Sequence, residues 1–273
     1  MTPESKPLIP MVVLDWAGTV VDHGSVAPVK ALEDIFAAEG IDAPHSLVRK
    51  YMGLAKRDHV EALLWEPEIA AQVAHLHARR VTEEDVDRLY AQFEPQMMAL
   101  LPGYAEVITG AAEVVEELRS RGIRLGGTTG YTRPMLDELM QLAAKQGYRT
   151  DASLCPEDVG AGRPHPWMCY RLAIDLRVYP LSRCVKVGDT PSDIEEGRNA
   201  GMWTIGLTRS GNAVGLTETE WKALDAPEQK RLLADAEKEL RGAGAHLMAE
   251  SVAHILPVLG EIEERIRTGE LPL

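Results

Sequence analysis

The sequence is poor in cysteine and in positive charge, and each shortage argues against a class of protein. Its three cysteines, Cys155, Cys169 and Cys184, form no CxxC pair, which argues against a zinc site or a disulfide frame and predicts reduced packing residues. With 29 basic against 42 acidic residues the formal net charge is −13, which argues against general binding to nucleic acid or anionic membranes. An anionic substrate would therefore need locally placed cations.

Long apolar runs are missing as well. No stretch of about 18 apolar residues could span a bilayer, and the opening MTPESKPLIP lacks the basic patch and apolar core of a signal peptide. We therefore expect a cytoplasmic protein. The chain does have an ordinary globular composition, 45% hydrophobic and 26% charged over 273 residues. This length suffices for one large α/β domain or for a core domain with an insertion.

Four strand-like apolar runs are spaced along the chain, and a helix-like stretch precedes each of the last three. The runs cover residues 8–14, 123–127, 184–187 and 202–207. This alternation predicts a parallel β-sheet with crossover helices. Helical spacing continues after the last run, in two acidic stretches within residues 218–241 and in a final one over residues 251–267.

The chain between the first two predicted strands has only helical spacing. That spacing covers residues 26–40, 46–64 and 82–100. It predicts a helical domain, residues 23–102, inserted into a core made of residues 1–22 and 103–273. Small and rigid residues near Gly24 and at positions 101–103 would form the borders, where the chain leaves and rejoins the core.

Polar residues follow the predicted strands, at the edge where the carboxyl ends of parallel strands line a ligand crevice. The first strand leads into Asp15 and a Gly-Thr turn, an arrangement typical of a catalytic aspartate. The second leads to Thr129 and Gly130, whose hydroxyl and backbone amide suit a phosphoryl oxygen. A later loop, GAGR, surrounds the guanidinium of Arg163 with small residues.

Two more carboxylates bracket the turn after the third predicted strand. In GDTPSD the threonine is a helix cap and the proline takes the first helical position, so Asp189 and Asp193 lie on either side of a helix start. With Asp15 they could form a hard-oxygen magnesium site. Each motif alone is more often a cap or a turn, so the informative feature is their order along the chain.

The motifs DxxGT, TTG, GxGR and GDxxxD, in this order, resemble the four signatures of the haloacid dehalogenase superfamily, and the resemblance spans the whole chain. It implies an α/β fold with a Rossmann-like, doubly wound parallel-sheet core and an inserted helical cap domain. It also implies that Asp15 is a nucleophile that forms a phospho-aspartate.

Ala17 departs from the phosphatases of this superfamily, which have a second aspartate two residues after the first. That aspartate protonates the departing alkoxide, a contribution worth roughly 10²–10⁴ in rate. Its loss is tolerable when the leaving group is a halide, or a carbon whose bonding electrons can enter an iminium formed with a lysine amine.

A lysine of this kind is available in the predicted insertion, in the stretch RKYMGLAKRDHVEALL. Lys56 follows a break at Gly53, and His59 comes three residues later on the same helical face, where it could move protons during imine formation. We expect nearby Lys50 and Arg57, together with partial burial, to favour the neutral amine.

Five stretches resemble those of the phosphonoacetaldehyde hydrolase (phosphonatase) branch of the superfamily. They are DWAGTVVD, MGLAKRDH, TTGYTR, AGRPHPWMCY and VGDTPSDIEEGRNAGMWT. This branch joins an alanine at the position of Ala17 to a Schiff-base lysine in the cap. The resemblance implies that Lys56 condenses with the aldehyde of phosphonoacetaldehyde, that Asp15 attacks phosphorus, and that the products are acetaldehyde and phosphate.

The same resemblance implies the remaining site residues and partners. Mg²⁺ would be held by Asp15, the backbone oxygen of Ala17, Asp189, and Asp193 through a water molecule. The phosphonate oxygens would be bound by Thr129, Gly130 and Arg163. Met52 would lie against the imine, although core packing explains a methionine equally well. The resemblance also implies a homodimer formed through the cap; it assigns no role to Ser25, where some members have cysteine, or to Lys186.

Two other interpretations remain open. The first is another hydrolase of the superfamily, a halocarboxylate dehalogenase or a phosphatase. The dehalogenases also lack the second aspartate, but they need no magnesium, so the paired acids of GDTPSD argue against them. The second is a catalytically silent interaction protein that keeps the fold. It predicts no phosphate release from any phosphonate, and no effect of the change Asp15→Asn.

Overall fold

The computed structural model describes residues 7–272, which form a six-stranded parallel sheet flanked by helices. Residues 1–6, in the stretch where we expect no signal peptide, and Leu273 lie outside the described residues. The strands are β1 Met11–Asp15, β2 Arg124–Thr128, β3 Ala152–Leu154, β4 Val185–Gly188, β5 Trp203–Leu207 and β6 Leu247–Ala249. Their spatial order is β3-β2-β1-β4-β5-β6. The order reverses at β1, so the residues that follow β1 lie at the topological switch point of the sheet.

Helices connect the strands and cover the sheet. Within residues 7–272 the α-helices are α1 Val26–Ala38, α2 His45–Lys50, α3 Lys56–Leu64, α4 Pro67–His77, α5 Glu83–Tyr104, α6 Ala111–Ser120, α7 Arg133–Ala144, α8 Trp167–Asp175, α9 Pro191–Asn199, α10 Glu218–Ala223, α11 Ala226–Gly242 and α12 Ile255–Arg267. No helix in this part of the chain combines the length and the apolar character needed to cross a bilayer.

The predicted α/β class and parallel sheet are confirmed, and the four predicted strands occur with slightly shifted bounds. Every residue of β1 is buried, as expected for a valine-rich strand covered on both faces. The strands β3 and β6 were not predicted, because these outer strands have only three residues each, too few for a periodic pattern. The predicted helix start after the third run is confirmed: the Thr190 hydroxyl accepts from the Asp193 amide, and α9 begins at Pro191.

The chain between β1 and β2 contains six helices, α1–α6, and no strand. We refer to the part that holds the first five, α1–α5, as the helical insertion. The helical spacing over residues 46–64 covers two helices, α2 and α3, and Gly53 with φ 90° lies in the break between them. The helix α4 was not predicted from the sequence. The insertion helices and the central strands contribute to one continuous hydrophobic cluster, which holds the insertion over the carboxyl edge of the sheet.

The predicted border at residues 101–103 falls in the last turn of α5, which continues through Pro102 and Gly103 to Tyr104. A proline costs a helix one hydrogen bond, and here it falls in the last turn. The buried side chains of Met97 and Leu101 keep the apolar face of that turn packed, which outweighs the cost.

Candidate active site

The predicted motif residues meet where the carboxyl edge of the sheet faces the loop between α2 and α3. A small cavity of about 20 Å³ lies there. It is lined by Asp15, Ala17, Ser25, Met52, Gly53, Lys56, Thr129, Gly130, Tyr131, Arg163 and Thr190. The structure therefore brings core and insertion residues into one cavity, although they come from segments far apart in sequence.

The guanidinium of Arg163 is buried, and each of its nitrogens has an acidic partner. Nη2 donates to Asp15 Oδ1 at 2.6 Å, Nη1 lies 3.0 Å from Asp193 Oδ1, and Nε donates to Glu196 Oε2 at 3.1 Å. Burial opposes the charge of Arg163, but Asp193, Asp15 and Glu196 raise its pKa. A planar fork with three such partners is held in one orientation.

Asp15 and Asp189 are buried carboxylates with raised pKa values. Burial is the largest cause for both; the charge of Asp193 adds to the rise for Asp15, and the charge of Asp15 adds to the rise for Asp189. Asp189 accepts from the Thr19 hydroxyl at 2.9 Å and from the Asn212 amide at 2.8 Å. Gly18 allows its own backbone to lie close to the Asp189 carboxylate, because it has φ 82° and an added Cβ would lie 2.3 Å from Asp189 Oδ2.

Asp193 differs from these two carboxylates, because donors already surround it. Oδ1 accepts from Lys186 Nζ at 2.8 Å and faces Arg163, and Oδ2 accepts from the Thr190 amide and hydroxyl at 3.2 and 2.7 Å. Burial opposes ionisation of Asp193, but Arg163 and Lys186 bring its pKa below the ordinary value. This carboxylate is therefore ionised and held in place by the protein alone.

Three of these carboxylates could bind a metal ion. Asp15, Asp189 and Asp193 are buried and each offers an oxygen within 4.8 Å of the others. Such a set of hard oxygen donors fits a divalent cation, and the crowding that raises two of the pKa values is relieved by positive charge. Within residues 7–272 no donor bonds the carbonyl oxygen of Ala17, which also lines the cavity.

Lys56 is the first residue of α3, and its side chain is only 4% exposed. Its Nζ lies 5.9 Å from the centre of the Phe93 ring and 5.5 Å from that of Tyr131. Burial lowers the pKa of Lys56 from 10.5 to about 8; Asp15 opposes this shift and Arg163 adds to it. The buried amine therefore reaches its neutral form far more readily than an exposed lysine does.

The cause that we expected for this shift is wrong in part. Lys50 and Arg57 are partly exposed and paired with carboxylates, Lys50 with Glu66 at 2.6 Å and Arg57 with Asp87 at 2.9 Å. Neither contributes to the pKa shift of Lys56, which comes from burial and from Arg163. Their charges are neutralised locally, so they act as surface ion pairs.

His59 is fully buried on the same face of α3 as Lys56. Its Nε2 lies 2.8 Å from the Val48 carbonyl oxygen and must donate to it, so the neutral ring has its lone pair on Nδ1. Nδ1 is buried without a hydrogen-bond partner in the part of the chain described. Burial and the charge of Lys56 lower the pKa of His59 well below 6.5. The residue is therefore a neutral ring with a free acceptor nitrogen.

The other predicted residues also lie at the cavity. Gly130 faces the insertion directly, because an added Cβ would lie 2.3 Å from the Leu54 carbonyl oxygen. The Thr129 hydroxyl accepts from the Tyr131 amide at 3.2 Å. Met52 lines the cavity and also belongs to the hydrophobic core, so the two interpretations of this residue are compatible. Ser25 lines the cavity from the linker before α1.

Two further buried residues, Lys186 and Glu196, have no role that the sequence motifs predict. Lys186 Nζ lies 2.8 Å from Asp193 Oδ1, 3.0 Å from Thr128 Oγ1 and 3.3 Å from Glu196 Oε2, and both side chains of the Lys186–Glu196 pair are fully buried. A signal was present, since a lysine inside an apolar strand needs a buried acidic partner. The partner could not be chosen from the sequence, because α9 contains several acids.

Comparisons with known proteins agree with this geometry. A family model of haloacid dehalogenase-like hydrolases matches residues 9–201. Phosphonoacetaldehyde hydrolase of Syntrophobacter fumaroxidans is 46% identical over 261 residues, which cover 96% of this chain and 94% of that protein. The enzyme of the same name from Bacillus cereus is 44% identical, over 94% of this chain and 97% of that protein.

A solved structure is similar along the whole chain. The crystal structure of a phosphonoacetaldehyde hydrolase like protein from Oleispira antarctica matches with a TM-score of 0.95 and 37% identity, covering 100% of this chain and 99% of that one. Both sequence and fold are therefore shared over nearly the full length. The chain belongs to the haloacid dehalogenase-like hydrolases and, within them, to the phosphonoacetaldehyde hydrolase family.

Proposed function

We propose that this protein hydrolyses the carbon–phosphorus bond of phosphonoacetaldehyde and releases acetaldehyde and phosphate. One observation carries the proposal: the buried amine of Lys56 and the carboxylate of Asp15 line the same cavity, next to the methyl group of Ala17. An amine of this kind can activate an aldehyde, and the chemistry that follows needs no acid at position 17. The names of the relatives support the same substrate.

We also propose that residues 23–102 form a cap domain on a core made of residues 1–22 and 103–273. The cap carries Lys56, and the core carries Asp15. The cavity between them has about 20 Å³, room for about one water molecule and too little for a phosphonate. We therefore propose that the cap opens for substrate entry and closes for reaction.

In the first step, His59 Nδ1 accepts a proton from the ammonium of Lys56. The neutral amine then attacks the aldehyde carbon, His59 gives its proton to the hydroxyl of the carbinolamine, and loss of water leaves a protonated imine on Lys56. The lowered pKa of Lys56 and the free lone pair on Nδ1 of His59 support this role. Met52, in the wall of the cavity, packs beside the imine.

In the second step, a carboxylate oxygen of Asp15 attacks phosphorus and forms a phospho-aspartate. The electrons of the breaking carbon–phosphorus bond enter the iminium and give an enamine on Lys56. Arg163, Thr129 and Gly130 hold the phosphonate oxygens. Because the carbon leaves as an enamine, no alkoxide needs a proton, which accounts for Ala17 at the position of the missing acid.

The remaining steps restore the enzyme. Water hydrolyses the phospho-aspartate and releases phosphate. The enamine takes a proton on carbon to give the iminium again, and water hydrolyses this iminium to acetaldehyde and free Lys56. Each cycle therefore consumes one net water molecule and leaves both Asp15 and Lys56 unchanged.

We propose Mg²⁺ as the cofactor. Asp15, Asp189 and the backbone oxygen of Ala17 would hold it, with Asp193 acting through a water molecule. The four hydrogen-bond donors around Asp193 support this indirect role. When bound, the ion neutralises phosphonate charge and orients the substrate for in-line attack.

The surface of the cap and the state of the cysteines bear on oligomeric state and location. We propose a homodimer formed through the cap, on which Trp65 and Leu76 are 52% and 47% exposed and offer apolar surface. Light scattering of the purified protein tests it. We also propose a cytoplasmic location, which the three free and buried cysteines support, since reducing compartments preserve free thiols.

The decisive experiment traps the imine. Borohydride added to enzyme with phosphonoacetaldehyde should leave a reduced adduct on Lys56, located by mass spectrometry of peptides. Lys56→Arg should abolish both the adduct and phosphate release, whereas Lys50→Arg, a change at a partly exposed ion pair, should keep both. Full turnover by Lys56→Arg would rule out the imine.

Chelation distinguishes the alternative hydrolase. A halocarboxylate dehalogenase acts without a metal, whereas the buried carboxylates of this site favour a metal-dependent reaction. Dialysis against EDTA should therefore stop phosphate release from phosphonoacetaldehyde, and added Mg²⁺ should restore it. Dehalogenation of a 2-haloacid by the metal-free protein would favour the alternative.

A further inference from the structure

Arg49 of α2 links the cap to a core loop at residues 210–216. Its Nη1 donates to the Gly24 carbonyl oxygen at 2.9 Å and to Asn212 Oδ1 at 3.0 Å, and its Nη2 donates to the Gly215 carbonyl oxygen at 2.9 Å. The Asn212 side chain returns a bond, from Nδ2 to the Arg49 carbonyl oxygen at 3.0 Å. Both ends of the Asn212 amide are therefore bonded to one residue of the cap.

The backbone of Asn212 faces the opposite way, into the active site. Its N–H donates to Asp189 Oδ2 at 2.8 Å. The neighbouring Gly211 packs directly against Asp189, because an added Cβ at Gly211 would lie 2.5 Å from the Cβ of Asp189. The Ser210 hydroxyl donates to the Gly18 carbonyl oxygen at 2.9 Å. A movement of this loop therefore changes the hydrogen bonding of Asp189.

We infer that Asn212 is a positioning residue that couples closure of the cap to the orientation of the Asp189 carboxylate. The inference rests on the proposed function for its cap and its metal ligand. In the closed state, Arg49 holds the Asn212 side chain, and the loop presents its amide to Asp189. When the cap opens, both side-chain bonds break and the loop is freed to move. The Asp189 carboxylate is therefore fully oriented for the cation only when the cap is closed.

This coupling has a reciprocal consequence. If cap closure orders Asp189 for the cation, then the cation must favour cap closure by the same factor. The relationship can be measured without substrate, through metal affinity and through the mobility of the cap boundary. A purely structural role for Asn212 would alter stability without linking these two quantities.

The test uses the full-length protein and Mg²⁺ alone. Asn212→Ala should weaken Mg²⁺ binding, measured by titration calorimetry, about fivefold to tenfold, the effect of losing one to two ordinary hydrogen bonds. Hydrogen exchange should speed up over residues 49–56 and 210–216, and added Mg²⁺ should slow it less than in the parent protein. Unchanged Mg²⁺ affinity with faster exchange would overturn the inference.

A second variant approaches the same link from the cap. Arg49→Met leaves Asn212 and Asp189 intact, so it should weaken Mg²⁺ binding only through the coupling. The double variant, Arg49→Met with Asn212→Ala, should bind Mg²⁺ no more weakly than either single variant does. Additive losses, or normal Mg²⁺ binding by Arg49→Met, would overturn the inference.

Gln72→Ala is the matched control. The Gln72 amide both donates to and accepts from the Asp42 backbone at 2.7 Å, but entirely within the cap. It should leave Mg²⁺ affinity unchanged. Failure of the proposed function would appear separately, as parent protein that binds Mg²⁺ but forms no adduct at Lys56.

Discussion

The Nη2 atom of Arg163 lies 2.6 Å from Oδ1 of Asp15, so the guanidinium bonds directly to the carboxylate that we propose as the nucleophile. The other two guanidinium nitrogens are held by Asp193 and Glu196. Asp193 and Glu196 therefore fix the orientation of Arg163, and its Nη2 is the nitrogen that bonds the nucleophile. This arrangement keeps a cation beside the position where phosphorus must be attacked.

Arg163→Lys should lower kcat/KM for phosphonoacetaldehyde by about 10²–10³, the usual cost of removing one preorganised donor. A lysine keeps the charge but has no planar fork, so it cannot bond Asp15, Asp193 and Glu196 together. Steady-state kinetics test this expectation. Arg171→Lys, at an exposed pair with Asp175, is the control and should have parent activity. Activity of Arg163→Lys within threefold of the parent would contradict the role of the fork.

Asp15→Asn should separate the two proposed chemical steps. The variant lacks the nucleophile, so it should release no phosphate, yet Lys56 remains free to condense with the aldehyde. Borohydride should still produce the reduced adduct on Lys56, and a double variant with Lys56→Arg should not. Absence of the adduct in Asp15→Asn, in protein that is folded by circular dichroism, would show that the steps are not independent.

The rate of imine formation should rise with pH and level off above about 8, where the buried Lys56 becomes neutral. Below that pH the amine is protonated and cannot attack, so trapping with borohydride slows tenfold per pH unit. Quenching the reaction with borohydride at a series of times, at saturating aldehyde and from pH 6 to pH 10, measures how the rate of imine formation depends on pH. A rate that is still rising tenfold per pH unit at pH 10, as an amine with the ordinary lysine pKa of 10.5 would give, would mean that burial does not control this amine.

Lys186→Met should lower the free energy of unfolding by about 3–5 kcal/mol, because it leaves buried acids without their cation. Glu196→Gln should cost less, since Arg163 and Lys186 then still face Asp15 and Asp193. The double variant should recover much of the loss. Urea denaturation measures the free energy of unfolding of the two single variants and of the double variant. If the double variant were less stable than Lys186→Met, charge imbalance would not be the cause of the lost stability.

Several features of this protein follow from local sequence alone. The buried run before Asp15, the cap and proline at Thr190 and Pro191, and the break at Gly53 each depend on neighbours in the chain, so the pattern was sufficient to predict them. The order of the four motifs was sufficient for the family. The carboxyl-edge rule for parallel sheets then placed the motif residues together.

Other features depend on contacts between distant segments. Arg163 and Glu196 are 33 residues apart, and Arg49 and Asn212 are 163 apart, so no local pattern could pair them. The pKa of Lys56 is another case, because its burial requires packing of α5 and of the Tyr131 loop around the amine.

The sequence by itself determined the α/β class, the parallel sheet and which residue types could carry the chemistry, because these depend on local periodicity and on motif order. Only the tertiary structure decided how each charge is balanced. The electrostatic environment of Lys56, the fork of Arg163 and the hydrogen bonds of Asp189 arise when segments from the insertion and the sheet exclude water together, and burial of this kind is a property of the packed chain.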